Sequence, residues 1–262
     1  MKAAILAGGL GTRMQELTSI VPKPMIELGG KPILWHIMKS YRHFGINEFC
    51  IALGYKGDVI KEYFRNYKYH MRSVVVDLTT GETDFTGDSN SVEPEDWRIN
   101  LVETGSASQT GARVARMKEY LGKETFCLTY GDGVSDVDIA QLIAFHKSHG
   151  KIATLTAVRP PSKFGALEIG HDNKVLTFAE KPHIGDSWIN GGFFVFEPKI
   201  FDYLDSNETC ILEEKPMLNL AKDGQLMAFH HEGYWHCMDT ARDVTNANKI
   251  WEQNKAPWKQ WR

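Results

Sequence analysis

The pattern of apolar and polar positions changes period repeatedly along the chain. Ala3-Ala4-Ile5-Leu6-Ala7 is an unbroken apolar run of the kind buried on both faces of a parallel sheet. From Pro32 to Phe44 the apolar residues Ile33, Leu34, Ile37, Met38 and Tyr41 return at helical spacing, with Pro32 acceptable in a first turn. Phe49–Leu53 reads as a second buried strand and Val59–Tyr67 as a second helix. Strands are then expected at Val74–Leu78, Ile99–Val102 and Phe126–Tyr130, and helices at Val114–Leu121 and Ile139–His149. Such alternation predicts an α/β fold, a doubly wound, Rossmann-like and mostly parallel sheet flanked by helices. After Ile152–Val158 the pattern becomes more β-like, with short strands at Ala166–Ile169, Val175–Ala179 and Ile189–Phe196. Helical spacing returns at Glu213–Ala221 and Arg242–Glu252.

Residues 79–98, TTGETDFTGDSNSVEPEDWR, are polar and acid-rich and follow neither period. A loop this long reads as a lid, as an arm in an assembly, or as a surface insertion. The closing APWKQWR carries two of the seven tryptophans and is expected to pack against the body of the protein. No repeat and no clean linker divides the chain, so residues 1–262 are read as one domain with a C-terminal elaboration.

Composition removes several classes of function. Thirty Lys and Arg against 33 Asp and Glu give a net charge of −3, so no basic field points to nucleic acid or to an anionic membrane. No run approaches the ~20 apolar residues that span a bilayer, and the apolar start is too short for a signal-peptide core. Cys50, Cys127, Cys210 and Cys237 form neither CxxC nor Cys/His metal spacing and read as reduced thiols, in keeping with the cytoplasm.

Chemistry concentrates after the first strand. Gly8, Gly9 and Gly11 in Leu6-Ala7-Gly8-Gly9-Leu10-Gly11-Thr12-Arg13 let the backbone turn tightly and bring its N–H groups to an anion. The spacing fits neither GxGxxG nor the P-loop. Arg13, and Lys23 within Pro22-Lys23-Pro24, add a bidentate cation and a compact one, a pairing suited to polyphosphate; a plain structural turn would carry the same residues. Asp132, in Tyr130-Gly131-Asp132-Gly133, stands at the carboxyl end of an expected strand, where open α/β sheets place ligands. Asp239 precedes the last expected helix. Each has a plainer reading, Asp132 as a turn residue and Asp239 as a helix N-cap.

GGLGTR, a spacer, then PKP resembles the signature of the sugar-phosphate nucleotidylyltransferases. The resemblance extends through Gly29–His36, Tyr130–Gly133, Phe164-Gly165-Ala166-Leu167, Glu180-Lys181-Pro182 and Asn190-Gly191-Gly192-Phe193-Phe194, in the family's order and over nearly the whole chain. It implies the nucleotide-diphospho-sugar transferase type of fold, with residues 1–158 mainly at the nucleotide and 159–262 mainly at the sugar phosphate. It also implies Mg²⁺ on Asp132 and Asp239, Arg13, Lys23 and Asp132 as catalytic residues, and a homo-oligomer such as a hexamer. Leu6, Gly8, Gly9, Gly11, Thr12, Thr104, Gly105 and Arg113 would surround the nucleotide. Tyr130, Gly165, Glu180, Lys181 and Asn190 would bind the sugar phosphate, close approach of the sugar ring being allowed by Gly191 and Gly192.

Within the family, Glu103–Arg113 (ETGSASQTGAR) resembles the branch that takes CTP and glucose 1-phosphate, with departures at Ala112 and Val21. Cytosine presents a donor where uracil presents an acceptor, and backbone groups near Thr104–Ser106 are candidates to read it, with Arg113 nearer the triphosphate or ribose. The implied reaction is in-line attack of a sugar 1-phosphate oxygen on the α-phosphorus of CTP. The same reaction with dTTP, UTP or another sugar phosphate, and a catalytically silent nucleotide-sugar sensor, remain open at this point.

Overall fold

Seven strands build the central sheet: β1 (Ala3–Leu6), β2 (Glu48–Leu53), β3 (Arg98–Glu103), β4 (Phe126–Tyr130), β5 (Ala153–Val158), β6 (Ile189–Phe196) and β7 (Leu226–His231). They are seen in a computed structural model that describes residues 1–11, 14, 18–86, 95–159, 166–169, 174–179 and 188–261. In space the order is β7-β5-β6-β4-β1-β2-β3. β1 runs parallel to both neighbours, with Leu6 opposite Ala52 on one side and Tyr130 on the other. β3 continues the parallel run beyond β2, and Leu53 pairs with Glu103. β6 is antiparallel between β4 and β5, and β7 lies parallel to β5 at the edge. The sheet is therefore mixed and mostly parallel, as the alternating pattern predicts.

The described helices of eight residues or more, together with the shorter Thr110–Arg116, are α1 (Ile33–His43), α2 (Gly57–Arg65), α3 (Thr110–Arg116), α4 (Ile139–His149), α5 (Lys215–Lys222) and α6 (Ala241–Glu252). Successive residues of a strand face opposite sides of a sheet. Ala3 and Ile5 accordingly join one apolar cluster with α1, α2, α4 and α6, while Ala4 and Leu6 join another with α3 and α5. All four β1 residues are buried, which explains why the run carries no polar alternation.

Several regions depart from the sequence pattern. The expected strand at Val74–Leu78 is Ser73–Val76, and it pairs with Thr83–Thr86 in a hairpin outside the central sheet. Part of the segment expected to be a loop is thus a strand. Asp77 Oδ1 accepts from the backbone N–H groups of Thr79 and Thr80 at 2.7 and 3.2 Å, closing the turn. No hairpin residue joins either apolar cluster, and Ser73–Val76 is exposed along its whole length, with Val75 at 55%. β7 is absent from the sequence reading because its polar His230 and His231 interrupt the apolar run at a sheet edge.

The C-terminal tryptophans pack as expected. Trp258 is fully buried, and its indole N–H donates to His36 Nδ1 at 3.4 Å. His36 Nε2 in turn donates to the Leu28 carbonyl at 2.7 Å. Trp251 and Trp261 also stand against the imidazole ring. This extra packing surface buries Trp35, His36 and Ser40 of α1 in addition to the predicted apolar stripe.

Candidate active site

The strand order reverses between β1 and β4, and the carboxyl ends of β1, β2, β3 and β4 all open on one side. Open α/β sheets hold ligands in such a crevice because chain leaving adjacent strands in opposite directions parts there. A cavity of about 340 Å³ occupies this position, walled by the Gly8–Gly9 turn, Lys23, Ser108–Thr110, Arg113, Tyr130–Asp132 and Asp239. That volume falls in the ~300–1,000 Å³ range of small-molecule sites.

Lys23, Asp132 and Asp239 come together from three distant parts of the chain. Lys23 opens a 3₁₀ turn in which Pro22, its N-cap, and Pro24, its second residue, restrict the backbone. Asp132 lies two residues past the end of β4. A short antiparallel pair, Gly133–Ser135 with Trp235–Cys237, then brings Asp239 beside it, and the Met238 N–H donates to the Asp132 carbonyl at 2.9 Å. The Lys23 ammonium donates to Asp132 Oδ2 at 2.8 Å and to Asp239 Oδ1 at 3.0 Å. Burial pulls the Lys23 pKa down, but the Asp132 charge and the hydrogen bonds to both carboxylates outweigh it, so the net shift is upward. Lys23 is a cation here.

The N-cap alternative for Asp239 does not hold. The cap of α6 is Thr240, in a reciprocal capping box with Asp243. Asp132, Cys237 and Asp239 each place a donor atom within 4.8 Å of the others. Among the described residues this is the group that could hold a metal ion. The two carboxylates are hard oxygen donors and fit a divalent cation such as Mg²⁺. The Cys237 thiol is a soft donor; burial first, then the neighbouring carboxylates, raise its pKa and keep it protonated.

Arg113 is buried and contributes to the wall of the same cavity. Its guanidinium donates to the carbonyls of Leu53, Gly105 and Gly8, each at 2.9 Å, and to Thr104 Oγ1 at 2.8 Å. It thus ties together the loops leaving β1, β2 and β3. Gly8 is required for this, since a Cβ there would lie 2.1 Å from Arg113 Nη1. Burial, then the Arg116 charge, lowers the Arg113 pKa; a guanidinium nevertheless stays charged. Its positive charge is solvated by carbonyl dipoles and faces the cavity.

Several expected residues fall elsewhere. Leu6, Gly8, Gly9, Gly11, Lys23, Arg113, Tyr130, Asp132 and Asp239 all reach the cavity wall. Thr104 and Gly105 are absent from that wall: Thr104 is fully buried, with its hydroxyl donated to the Leu53 carbonyl at 2.6 Å. Asn190 lies beside the cavity and donates from Nδ2 to the Tyr130 hydroxyl at 3.2 Å. The Tyr130 ring packs against Gly192, where a Cβ would lie 2.4 Å from Tyr130 Cδ2. Thr12, Arg13, Gly165, Glu180 and Lys181 lie outside the described residues. Ser108, Gln109 and Thr110 line the cavity without having been singled out individually, although the segment Glu103–Arg113 contains them.

The family model described as "Nucleotidyl transferase" matches residues 2–256. The chain belongs to the nucleotidyl transferase family. This transferase is 52% identical to a glucose-1-phosphate cytidylyltransferase of Salmonella typhimurium over 262 residues, 100% of both chains. It is 46% identical to a probable glucose-1-phosphate cytidylyltransferase of Bacillus subtilis, again over 100% of each. Its fold is similar to the crystal structure of a putative glucose-1-phosphate thymidylyltransferase from Bacillus anthracis, with a TM-score of 0.64, 20% identity, and coverage of 100% of this chain and 97% of that one. Among the described residues no helix is long and apolar enough to cross a membrane.

Proposed function

We propose that the protein transfers a cytidylyl group from CTP to α-D-glucose 1-phosphate, giving CDP-glucose and pyrophosphate. The observation that carries the reaction class is the Lys23 ammonium bonded to both Asp132 and Asp239 beside a Gly-rich turn at the strand ends. The full-length similarity to two cytidylyltransferases supports CTP and glucose 1-phosphate as the substrate pair.

In this reading a phosphate oxygen of glucose 1-phosphate attacks the α-phosphorus of CTP in line with the bridging oxygen. The new P–O bond forms as the bond to that bridging oxygen breaks, and pyrophosphate leaves with the electron pair. The attacking oxygen is already anionic, so no side chain has to accept a proton. Catalysis then rests on positioning and charge stabilisation. The Gly8–Gly11 amides and the Arg113 charge face the triphosphate, with Arg13 assigned to the β- and γ-phosphates and Lys23 to the α-phosphate. Leu6 and the backbone around Thr104 and Gly105 shape the nucleotide side, the latter through Arg113, and Thr12 extends the turn. Tyr130, Asn190, Gly165, Glu180 and Lys181 serve the sugar phosphate. Asp132 and Asp239 would hold Mg²⁺, which when bound supplies positive charge against the phosphate oxygens. The four cysteines are all free, which supports a reducing compartment, the cytoplasm. A homo-oligomer is part of the same reading, and sedimentation measures it directly.

A pyrophosphate-release screen of CTP, UTP, dTTP, ATP and GTP against several sugar 1-phosphates tests the assignment. CTP with glucose 1-phosphate is expected to give the highest kcat/KM. Preference for UTP or dTTP would overturn the base assignment, and preference for another sugar would overturn the acceptor.

A further inference from the structure

We propose that Glu213 is a positioning residue that joins the nucleotide side of the cavity to the sugar side and sets the direction of the hydrogen bonds on both. The inference rests on the reaction proposed above for what the two sides bind. Glu213 belongs to neither wall and to none of the recognised motifs. It stands in the turn before α5, yet each carboxylate oxygen engages a different wall of the site. Oε2 accepts from the Thr110 hydroxyl at 2.6 Å, and Oε1 accepts from the Tyr130 hydroxyl.

The two partners hold the two sides. Thr110 is the first residue of α3 and lines the cavity next to Ser108 and Gln109. Tyr130 ends β4, two residues before Asp132, and its ring is seated against Gly192. From Tyr130 the chain of bonds runs on: Asn190 Nδ2 donates to the Tyr130 oxygen at 3.2 Å, and Asn190 Oδ1 accepts from the Gly192 N–H at 2.9 Å.

The chemistry of the donors makes the carboxylate decisive. A phenol has one proton, and here Glu213 takes it, so the Tyr130 oxygen meets every other partner as an acceptor. The Asn190 carbonyl is committed to Gly192, which leaves its amide N–H groups as the donors it can offer. The Thr110 proton is committed to Glu213 in the same way, and Thr110 Oγ1 accepts from the Leu212 N–H at 2.9 Å. Only an acceptor at both ends produces this pattern. A glutamine of the same length accepts with one atom and donates with the other, and so must reverse one of the two bonds. Glu213 itself is exposed, where a charged side chain adds little to stability. Its two bonds therefore matter for alignment of the site more than for the fold.

The test uses the full chain and the substrate pair that the wild type turns over best, with both substrates varied and each also bound alone in isothermal titration. Tyr130→Phe should raise KM for the sugar phosphate, and Thr110→Val should raise KM for the nucleotide, each by roughly three- to tenfold as the hydroxyl's bond to Glu213 and its one other bond are lost. Glu213→Gln should raise both and also lower kcat. Glu213→Gln combined with Tyr130→Phe should be no worse toward the sugar phosphate than the worse single variant. Circular dichroism and Tm check that each variant folds, with Glu213→Ala as a second removal of both bonds. Glu213→Gln and Glu213→Ala that keep both KM values within twofold of the wild type, or effects of Glu213→Gln and Tyr130→Phe that multiply, would overturn the proposal. Failure of the cytidylyl reading itself shows separately, in the substrate preference of the wild type.

Discussion

Lys23 and His36 are both titratable groups taken largely out of water, and they end in opposite charge states. Lys23 sits between two carboxylates and its pKa moves up despite burial. His36 sits among indole rings, with a carbonyl and an indole N–H for partners, and burial drives its pKa down to about 4. Desolvation opposes charge in both places, so the partners decide the outcome. The contrast separates a region built to hold charge for ligands from one built to hold the C-terminal segment against α1.

The first way to break the comparison is to remove a carboxylate. Asp132→Asn should lower kcat by roughly 10³-fold, about 4 kcal/mol of transition-state stabilisation, because both the Lys23 contact and one oxygen donor for the divalent ion are weakened. Steady-state kinetics over a range of Mg²⁺ concentrations reads this directly. A mutant with near-native turnover would remove Asp132 from the charged cluster.

The second concerns His36. Its folded pKa lies below the ordinary value of 6.5, so the unfolded chain binds the proton first as pH falls. The stability from its neutral form is fully present above pH 6.5. It is lost progressively on acidification until the folded pKa of about 4 is reached. The total is about 3 kcal/mol. Urea unfolding between pH 7 and about 4 should show that slope, and His36→Gln should flatten it while lowering stability at neutral pH. An equal slope in wild type and variant would assign the acid sensitivity to other groups.

The third acts on Lys23. Lys23→Met should cost about 10²-fold in kcat, near 2.7 kcal/mol. It should also tighten divalent-ion binding, since the ammonium no longer competes for the carboxylates. The smallest effect is expected at Arg113. Arg113→Lys keeps the charge but cannot reach the carbonyls of Gly8, Leu53 and Gly105 together, so nucleotide affinity should fall about tenfold. Fluorescence or calorimetric binding of CTP measures it.

Much of this architecture was legible in the chain. β1 could be read because an unbroken apolar run needs two covered faces, and α1 because its apolar residues keep helical spacing. Asp132 and Lys23 stood out because strand ends and Pro-Lys-Pro turns combine charge with restricted backbone. What escaped depends on contacts between distant residues. The Ser73–Val76 hairpin has no core against which a period could develop. The capture of several carbonyls and a hydroxyl by Arg113 needs three strand ends brought side by side. Glu213 lies 103 residues from Thr110 and 83 from Tyr130, and nothing in its local sequence marks it.

The central claim is that Asp132 and Asp239 gather a divalent ion, and with it the triphosphate, in the crevice at the ends of β1 and β4. Titration of Mn²⁺, as a paramagnetic stand-in for Mg²⁺, into the wild type and the Asp132→Asn/Asp239→Asn double variant in the presence of CTP tests it. The wild type should form a protein–CTP–Mn²⁺ complex with one ion per chain, and the double variant should bind that ion at least ~10-fold more weakly. Equal affinity in the two proteins would contradict the claim.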